Sequence, residues 1–317
     1  MVSGCNQVFT HDTLELDETA LRHDVNHLVG LEVGGIYFAG HVTLTPAEWR
    51  QFVKVGVAAT AGRTVTVVDI HPDSMSEFIP QAEYAQSVGA DLLNVITPPS
   101  FRASCEQDVF DIYKRLSQAV DIGISLFINP KAGYTMSPQM IADLAELDTI
   151  VATKNSAYET IHTLETFRLA GHKLVVGVPG AQDWAVFAGH GLQLSMGTPH
   201  ARMFQTHEHR WAQEYWDFLM MHDWQRAWQI HEERIRPLLD LFWRTFGPYF
   251  HQAQVYPLGH YKYWEGLLGM SGGPMRQPMP TLRSQDKHLI RNSLIRSGLI
   301  TSKQAEEAER RMELVLA

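Results

Sequence analysis

The segment Thr149-Ile150-Val151-Ala152-Thr153-Lys154-Asn155-Ser156 decides how the chain is read. Its apolar, β-branched run predicts a buried strand, and the strand delivers an amine at its C-terminal end. In an α/β barrel that end faces the active site. Desolvation among apolar neighbours lowers a lysine's pKa, and the neutral amine can attack a carbonyl to form a Schiff base. Taken alone, the segment fits better a lysine that simply leaves the strand into solvent, because buried lysines are rare. The flanking sequence decides between the two.

Outward from Lys154, short apolar runs alternate with capped amphipathic stretches. Strands are predicted at Gln7–Thr10, Val33–Phe38, Val65–Ile70, Leu92–Ile96, Ile124–Ile128, Ile150–Thr153, Leu174–Val178 and Leu192–Ser195. Helices lie between them. Thr45-Pro46-Ala47-Glu48 carries an N-cap, a first-turn proline and a capping-box glutamate, and Ser74-Met75-Ser76-Glu77 is a second capping box. Ser137-Pro138 opens another helix. Eight β/α units in this order predict a (β/α)₈ TIM barrel. An open doubly wound sheet would carry a glycine-rich turn after its first strand, and none is present. From about Pro199 helices follow one another without strands. The expected division is a barrel over 1–222 and a C-terminal helical region over 223–317. The helical stretch from Pro199 onward holds most of the tryptophans (Trp211, Trp216, Trp224, Trp228, Trp243 and Trp264), read as core or subunit contacts.

The chain has 317 residues, is 45% hydrophobic and carries a net charge of −9 with a pI near 5.9. Without a basic block it is a poor partner for nucleic acid or an anionic membrane. Cys5 and Cys105 show no metal-ligand spacing and are read as free thiols. No export signal and no membrane-length apolar run is visible, so a soluble cytoplasmic protein is expected. His207-Glu208-His209 lacks the i, i+4 histidine pair of a zinc protease, and no metal site is expected. No G-x-S-x-G nucleophile elbow occurs.

Four segments resemble the dihydrodipicolinate synthase and N-acetylneuraminate lyase superfamily of class I aldolases, over about residues 8 to 300. Ile150 to Ser156 resembles its sixth strand with the Schiff-base lysine. Phe127-Ile128-Asn129-Pro130, then Gly133 and Met136-Ser137-Pro138, resembles its fifth-strand Tyr-Asn-x-Pro segment. Gly89-Ala90-Asp91 with Pro98-Pro99 resembles the fourth-strand unit, and Gly273 to Pro278 a proline-rich turn. The resemblance implies a TIM barrel, a lysine Schiff base at Lys154 with no separate cofactor, a small-molecule carbonyl substrate and a homo-oligomer, tetramer or dimer.

The chain also departs from that pattern. The family's Gly-Thr-Thr-Gly-Glu carboxylate turn aligns with Ile36-Tyr37-Phe38-Ala39-Gly40. Phe127 replaces the tyrosine that relays protons to the Schiff base, and phenylalanine has no exchangeable proton. Lys131-Ala132-Gly133 lacks the arginine some members place on a second carboxylate, leaving Lys131 as a point charge.

A Schiff base still needs a proton carrier. The candidates lie at strand ends: Tyr37 as the replacement hydroxyl, with Phe38, Ala39, His41, Asp69, Phe127, Lys131, Tyr134 and Ser195 as substrate contacts. A core tyrosine is the alternative for Tyr37. Asn94 is read as satisfying a local hydrogen bond. His200, His207, His209, His222, His231, His251 and His260 are read as surface or interface residues. The leading reading is a Schiff-base-forming lyase acting on a 2-keto acid or related carbonyl compound. The alternatives are a hydratase-aldolase for an extended or aromatic 2-keto acid, and a barrel that binds a ligand without catalysis.

Overall fold

The computed structural model describes residues 1–39, 43–98, 101–130, 134–157, 159–249, 253 and 255–314. Eight parallel strands run in the order β1 to β8: Val2–Cys5, Gly35–Phe38, Val65–Ile70, Leu92–Val95, Gly123–Ile128, Ile150–Asn155, Val175–Val178 and Leu194–Ser195. A parallel bridge from Val2 to Met196 brings the first strand back to the last. This is the (β/α)₈ TIM barrel expected from the sequence, with a C-terminal helical region.

Period-two alternation gives each strand an inner and an outer row. Tyr37 pairs in register with Val67, Asp69 with Asn94, Asn94 with Ser125, Phe127 with Lys154, and Lys154 with Gly177. These residues therefore share the inner row. Val2, Tyr37, Val67 and Met196 pack together there, with Ala39, Leu92 and Leu194 against them. The barrel centre is a filled core below and a polar layer above.

Local chemistry sets the helix starts. The helix α2, Pro46–Thr60, opens on Thr45, whose hydroxyl accepts from Glu48 N while the Glu48 carboxylate accepts from Thr45 N at 2.9 Å. Helix α5, Pro138–Leu144, begins at Ser137, which accepts from Met140 N at 3.1 Å. The expected box at Ser74 is absent. Ser74 caps Ser76 N instead, and a 3₁₀ turn Met75–Glu77 precedes α3, Phe78–Ser87. The other helices of this unit are α4 (Glu106–Ala119), α6 (Thr160–Ala170) and α7 (Ala181–Phe187).

The first strand lies at Val2–Cys5 rather than at Gln7–Thr10. All four of its residues are buried, whereas Phe9 only bridges antiparallel to Leu16. The chain also partitions differently from the 1–222 and 223–317 division. One compact unit is Met1–Gly4 with Gly34–Thr198, and the other is Cys5–Val33 with Pro199–Ala317. The cause is that 5–33, including α1 (Glu18–Gly30), finds its partners among the C-terminal helices. The Asp24 carboxylate accepts from both Ser271 N and Ser271 Oγ at 2.7 Å, and Arg276 donates through Nη2 to Leu14 O at 2.6 Å.

The second unit holds α8 (Trp211–Met220), α9 (Trp224–Ile230), α10 (Arg236–Gly247), α11 (Leu258–Leu267), α12 (Ser284–Ser297) and α13 (Ser302–Leu314). Its buried ion pair, Arg202 with Glu265, also receives Asn6 Nδ2 on Glu265 Oε2 at 2.8 Å. Trp264, Trp211 and Trp216 are core residues, whereas Trp224 and Trp228 are exposed on α9. His200 and His260, expected at the surface or at an interface, are buried among aromatic rings. His251 lies outside the described residues. No helix among the described residues is long and apolar enough to cross a membrane.

Candidate active site

Lys154 stands near the C-terminal end of β6 with its side chain turned into the barrel, and only 7% of it is exposed. Its Nζ lies 3.3 Å from Tyr37 Oη, 3.8 Å from the centre of the Phe127 ring and 4.4 Å from the centre of the Tyr37 ring. The amine thus faces two aromatic rings and one hydroxyl. Burial lowers its pKa from 10.5 to about 8, against an opposing pull from the Asp69 carboxylate. At pH 7 a pKa near 8 leaves about one amine in ten neutral, against about one in three thousand for an unperturbed lysine. That difference decides whether the group can act as a nucleophile.

Asn94 occupies the middle of β4 and is fully buried. Its Nδ2 donates to Asp69 Oδ1 at 2.8 Å and to Tyr37 Oη at 3.2 Å. Asp69, Asn94, Tyr37 and Lys154 therefore form one continuous polar chain contributed by four strands. Asp69 and Tyr37 are themselves buried. Polar side chains in an apolar interior are retained when their hydrogen bonds are met.

Of the residues singled out in the sequence, the structure brings Lys154, Tyr37, Asp69 and Phe127 together, with Ala39 packed on the same inner cluster. Phe38 corrects the expectation. It points outward, edge-on to Phe52 at 5.7 Å, into the notch left by Gly56 of α2. A Cβ at Gly56 would come within 2.3 Å of the Phe38 ring, so the helix needs glycine there. Ser195 also turns outward. Its hydroxyl accepts from Trp184 Nε1 at 2.8 Å and donates to Pro179 O at 3.3 Å, so it anchors α7 rather than facing Lys154. Period-two alternation puts both residues on the opposite face from the inner row.

Tyr134 is half-buried and hydrogen-bonds Glu106 at the start of α4; burial and that carboxylate together raise its pKa. It is not part of the Lys154 chain. His41 and Lys131 lie outside the described residues. Asn94 is the member the sequence reading underrated. The available signal was a carboxamide inside the apolar run Leu92-Leu93-Asn94-Val95, which burial obliges to find partners. Among the described residues no group of three or more His, Cys, Asp or Glu is arranged to hold a metal ion.

The comparisons with known proteins converge on one family. Residues 7–184 match the model of the dihydrodipicolinate synthetase family. A 4-hydroxy-tetrahydrodipicolinate synthase of Methanothermobacter thermautotrophicus is 31% identical over 154 residues, covering 47% of this chain and 54% of that protein. The match thus spans about half the length of that relative. A second, from Methanopyrus kandleri, is 24% identical over 303 residues, covering 92% of this chain and 94% of that protein. Among solved structures, dihydrodipicolinate synthase from Aquifex aeolicus superposes with a TM-score of 0.79 at 21% identity, over 94% of this chain and 98% of that one. N-acetylneuraminate lyase from Fusobacterium nucleatum superposes with a TM-score of 0.78 at 14% identity, over 93% and 97%. At these identities the structures show the shared fold, and the sequence match carries the assignment: the chain is a divergent member of the dihydrodipicolinate synthetase family of lyase and aldolase-type enzymes.

Proposed function

We propose that the protein is a class I aldolase-type lyase that forms a Schiff base between Lys154 and a small carbonyl compound. One observation carries this reading: a nearly buried amine, shifted toward its neutral form, faces a phenol hydroxyl 3.3 Å away. The neutral Nζ attacks the carbonyl carbon, and the carbinolamine loses its hydroxyl as water to give an iminium ion. The ring faces of Tyr37 and Phe127 then lie against a cation, which aromatic faces stabilise. The iminium draws electrons from the adjacent carbon, so that a neighbouring carbon–carbon bond can be broken or made. Tyr37 is the proposed proton carrier, in the role that Phe127 cannot fill. The chemistry resides in the covalent lysine adduct and calls for no further cofactor.

The proposed substrate class is a 2-keto acid or a related carbonyl compound. The aromatic wall beside the amine is built from Tyr37 and Phe127. It favours an extended or aromatic substrate, of the kind a hydratase-aldolase takes. A homo-oligomer is the proposed assembly, with the exposed Trp224 and Trp228 as apolar surface available for it.

Borohydride trapping with peptide mass spectrometry tests the reading. The protein is incubated with pyruvate, then with larger 2-keto acids and aldehydes. A reduced adduct on the peptide carrying Lys154, absent from Lys154→Ala, is expected, and the best-labelling compound defines the substrate class. A folded protein that yields no adduct with any of them returns the chain to a non-catalytic barrel.

A further inference from the structure

The polar chain behind Lys154 has a direction. An ionised carboxylate only accepts hydrogen bonds, so Asp69 fixes which end of the Asn94 amide faces it. Of the two Nδ2 hydrogens of Asn94, one goes to Asp69 Oδ1 at 2.8 Å and the other to Tyr37 Oη at 3.2 Å. Lys154 Nζ donates to the same phenol oxygen at 3.3 Å. Two donors on one phenol oxygen use its acceptor directions and turn its own hydrogen away from both. A tyrosine serving only as core filler has no need of this arrangement. Nor has a lysine that merely leaves its strand.

We propose that Asp69 and Asn94 are positioning residues of the lysine site: the carboxylate orients the carboxamide, and the carboxamide holds the Tyr37 hydroxyl against the amine with its proton presented for transfer. This rests on the Schiff-base role of Lys154. In the dehydration step the Tyr37 O–H protonates the carbinolamine hydroxyl and the C–O bond breaks. Water leaves, and the nitrogen lone pair forms the C=N bond. The resulting phenolate accepts from Asn94 Nδ2 and regains its proton from the water that later hydrolyses the iminium. Asp69 has a second effect, because its charge favours the protonated amine and opposes the burial that disfavours it. Asp69, Tyr37 and Lys154 are the titratable groups of this hydrogen-bonded chain, and His71 follows Asp69 by two positions, just past the end of the same strand.

The test combines two readouts on Asp69→Asn, Asn94→Leu, Tyr37→Phe and the double variant Tyr37→Phe/Asn94→Leu. The first is the rate of borohydride-trapped adduct at Lys154, by rapid quench with the best-labelling carbonyl compound. The second is carbamylation of Lys154 by cyanate across pH, read by peptide mass spectrometry, which needs no substrate. Asn94→Leu and Tyr37→Phe should each slow adduct formation on the order of tenfold or more. The double variant should be no slower than Tyr37→Phe, because the amide acts through the phenol. Asp69→Asn retains an acceptor for the amide but removes the charge, so the carbamylation midpoint should move to lower pH. Rates that multiply in the double variant, a wild-type rate in Asn94→Leu, or an unmoved midpoint in Asp69→Asn would each overturn the proposal. The isosteric Asp69→Asn carries the test if Asn94→Leu does not fold. Should the wild-type protein form no adduct at all, the Schiff-base reading fails. Carbamylation then still judges the coupling, and midpoints unchanged in both Asp69→Asn and Asn94→Leu reject it.

Discussion

Lys154 and Phe127 are register partners on adjacent strands, and the lysine nitrogen sits 3.8 Å from the centre of the phenylalanine ring. The ring supports the protonated amine, a contribution of about 0.5–2 kcal/mol for a cation over an aromatic face. Phe127→Leu removes that support while keeping an apolar wall. The expected result is a lower carbamylation midpoint for Lys154, by about 0.4–1.5 pH units. A midpoint at or above the wild-type value would show that the ring does not hold the cation.

The lysine's shift also makes it a stability term. Its pKa is about 8 in the folded chain against 10.5 for an ordinary lysine. Below pH 8 both states hold the proton, and the folded state bears the full cost of a buried charge. Between pH 8 and 10.5 the folded state releases the proton first, so this cost fades as pH rises. A difference of this size corresponds to about 3 kcal/mol. Lys154→Met is therefore expected to be more stable than the parent at pH 7, by up to about 3 kcal/mol, while losing all adduct formation. The gap between the two should narrow toward pH 10. Denaturant titrations at the two pH values measure it. Comparison with the parent is needed because Lys262, buried in the helical unit, is also lowered to about 7 and titrates in an overlapping range.

Tyr37→Phe keeps the ring and removes the hydroxyl. It leaves a buried Asn94 hydrogen and the lysine amine without their shared acceptor, at a cost of about 1–3 kcal/mol. Trapping of the adduct should slow as well, on the order of tenfold or more, which a loss of stability alone would not cause in a protein that stays folded. A variant that is destabilised but traps at the parent rate would assign Tyr37 to the core alone.

In the helical unit, Arg202 and Glu265 are buried together, with their side chains 1% and 2% exposed. Removing one partner strands the other charge. Arg202→Leu or Glu265→Leu should each cost about 3–5 kcal/mol, and the paired change to apolar residues should recover most of that loss. Urea unfolding of the three variants measures it. Additive losses in the double variant would mean that the two groups do not depend on one another.

Much of the barrel was legible in the chain because its signals are local. The runs Val65-Thr66-Val67-Val68-Asp69-Ile70 and Ile150 to Asn155 are strands by composition alone. Thr45-Pro46 and Ser137-Pro138 start helices through hydrogen bonds that reach only three residues. Val2–Cys5 is not legible in the sequence because four small or apolar residues carry no periodicity, and only pairing with neighbouring strands makes them a strand. The affiliation of residues 5–33 with the C-terminal helices rests on partners about 250 positions away, such as Ser271 for Asp24.

The sequence by itself determined that a lysine would stand at the end of a buried strand in an eightfold β/α chain, because strand burial and helix capping are written in adjacent residues. Only the tertiary structure decided what that lysine meets. Phe38 and Ser195 sit one residue out of phase with the inner row, and a shift of one position along a strand moves a side chain to the opposite face. Asn94 lies 57 positions from Tyr37, and Tyr37 lies 117 from Lys154. Contacts at such separations are set by the closure of the barrel, which brings the inner row of every strand to a common axis.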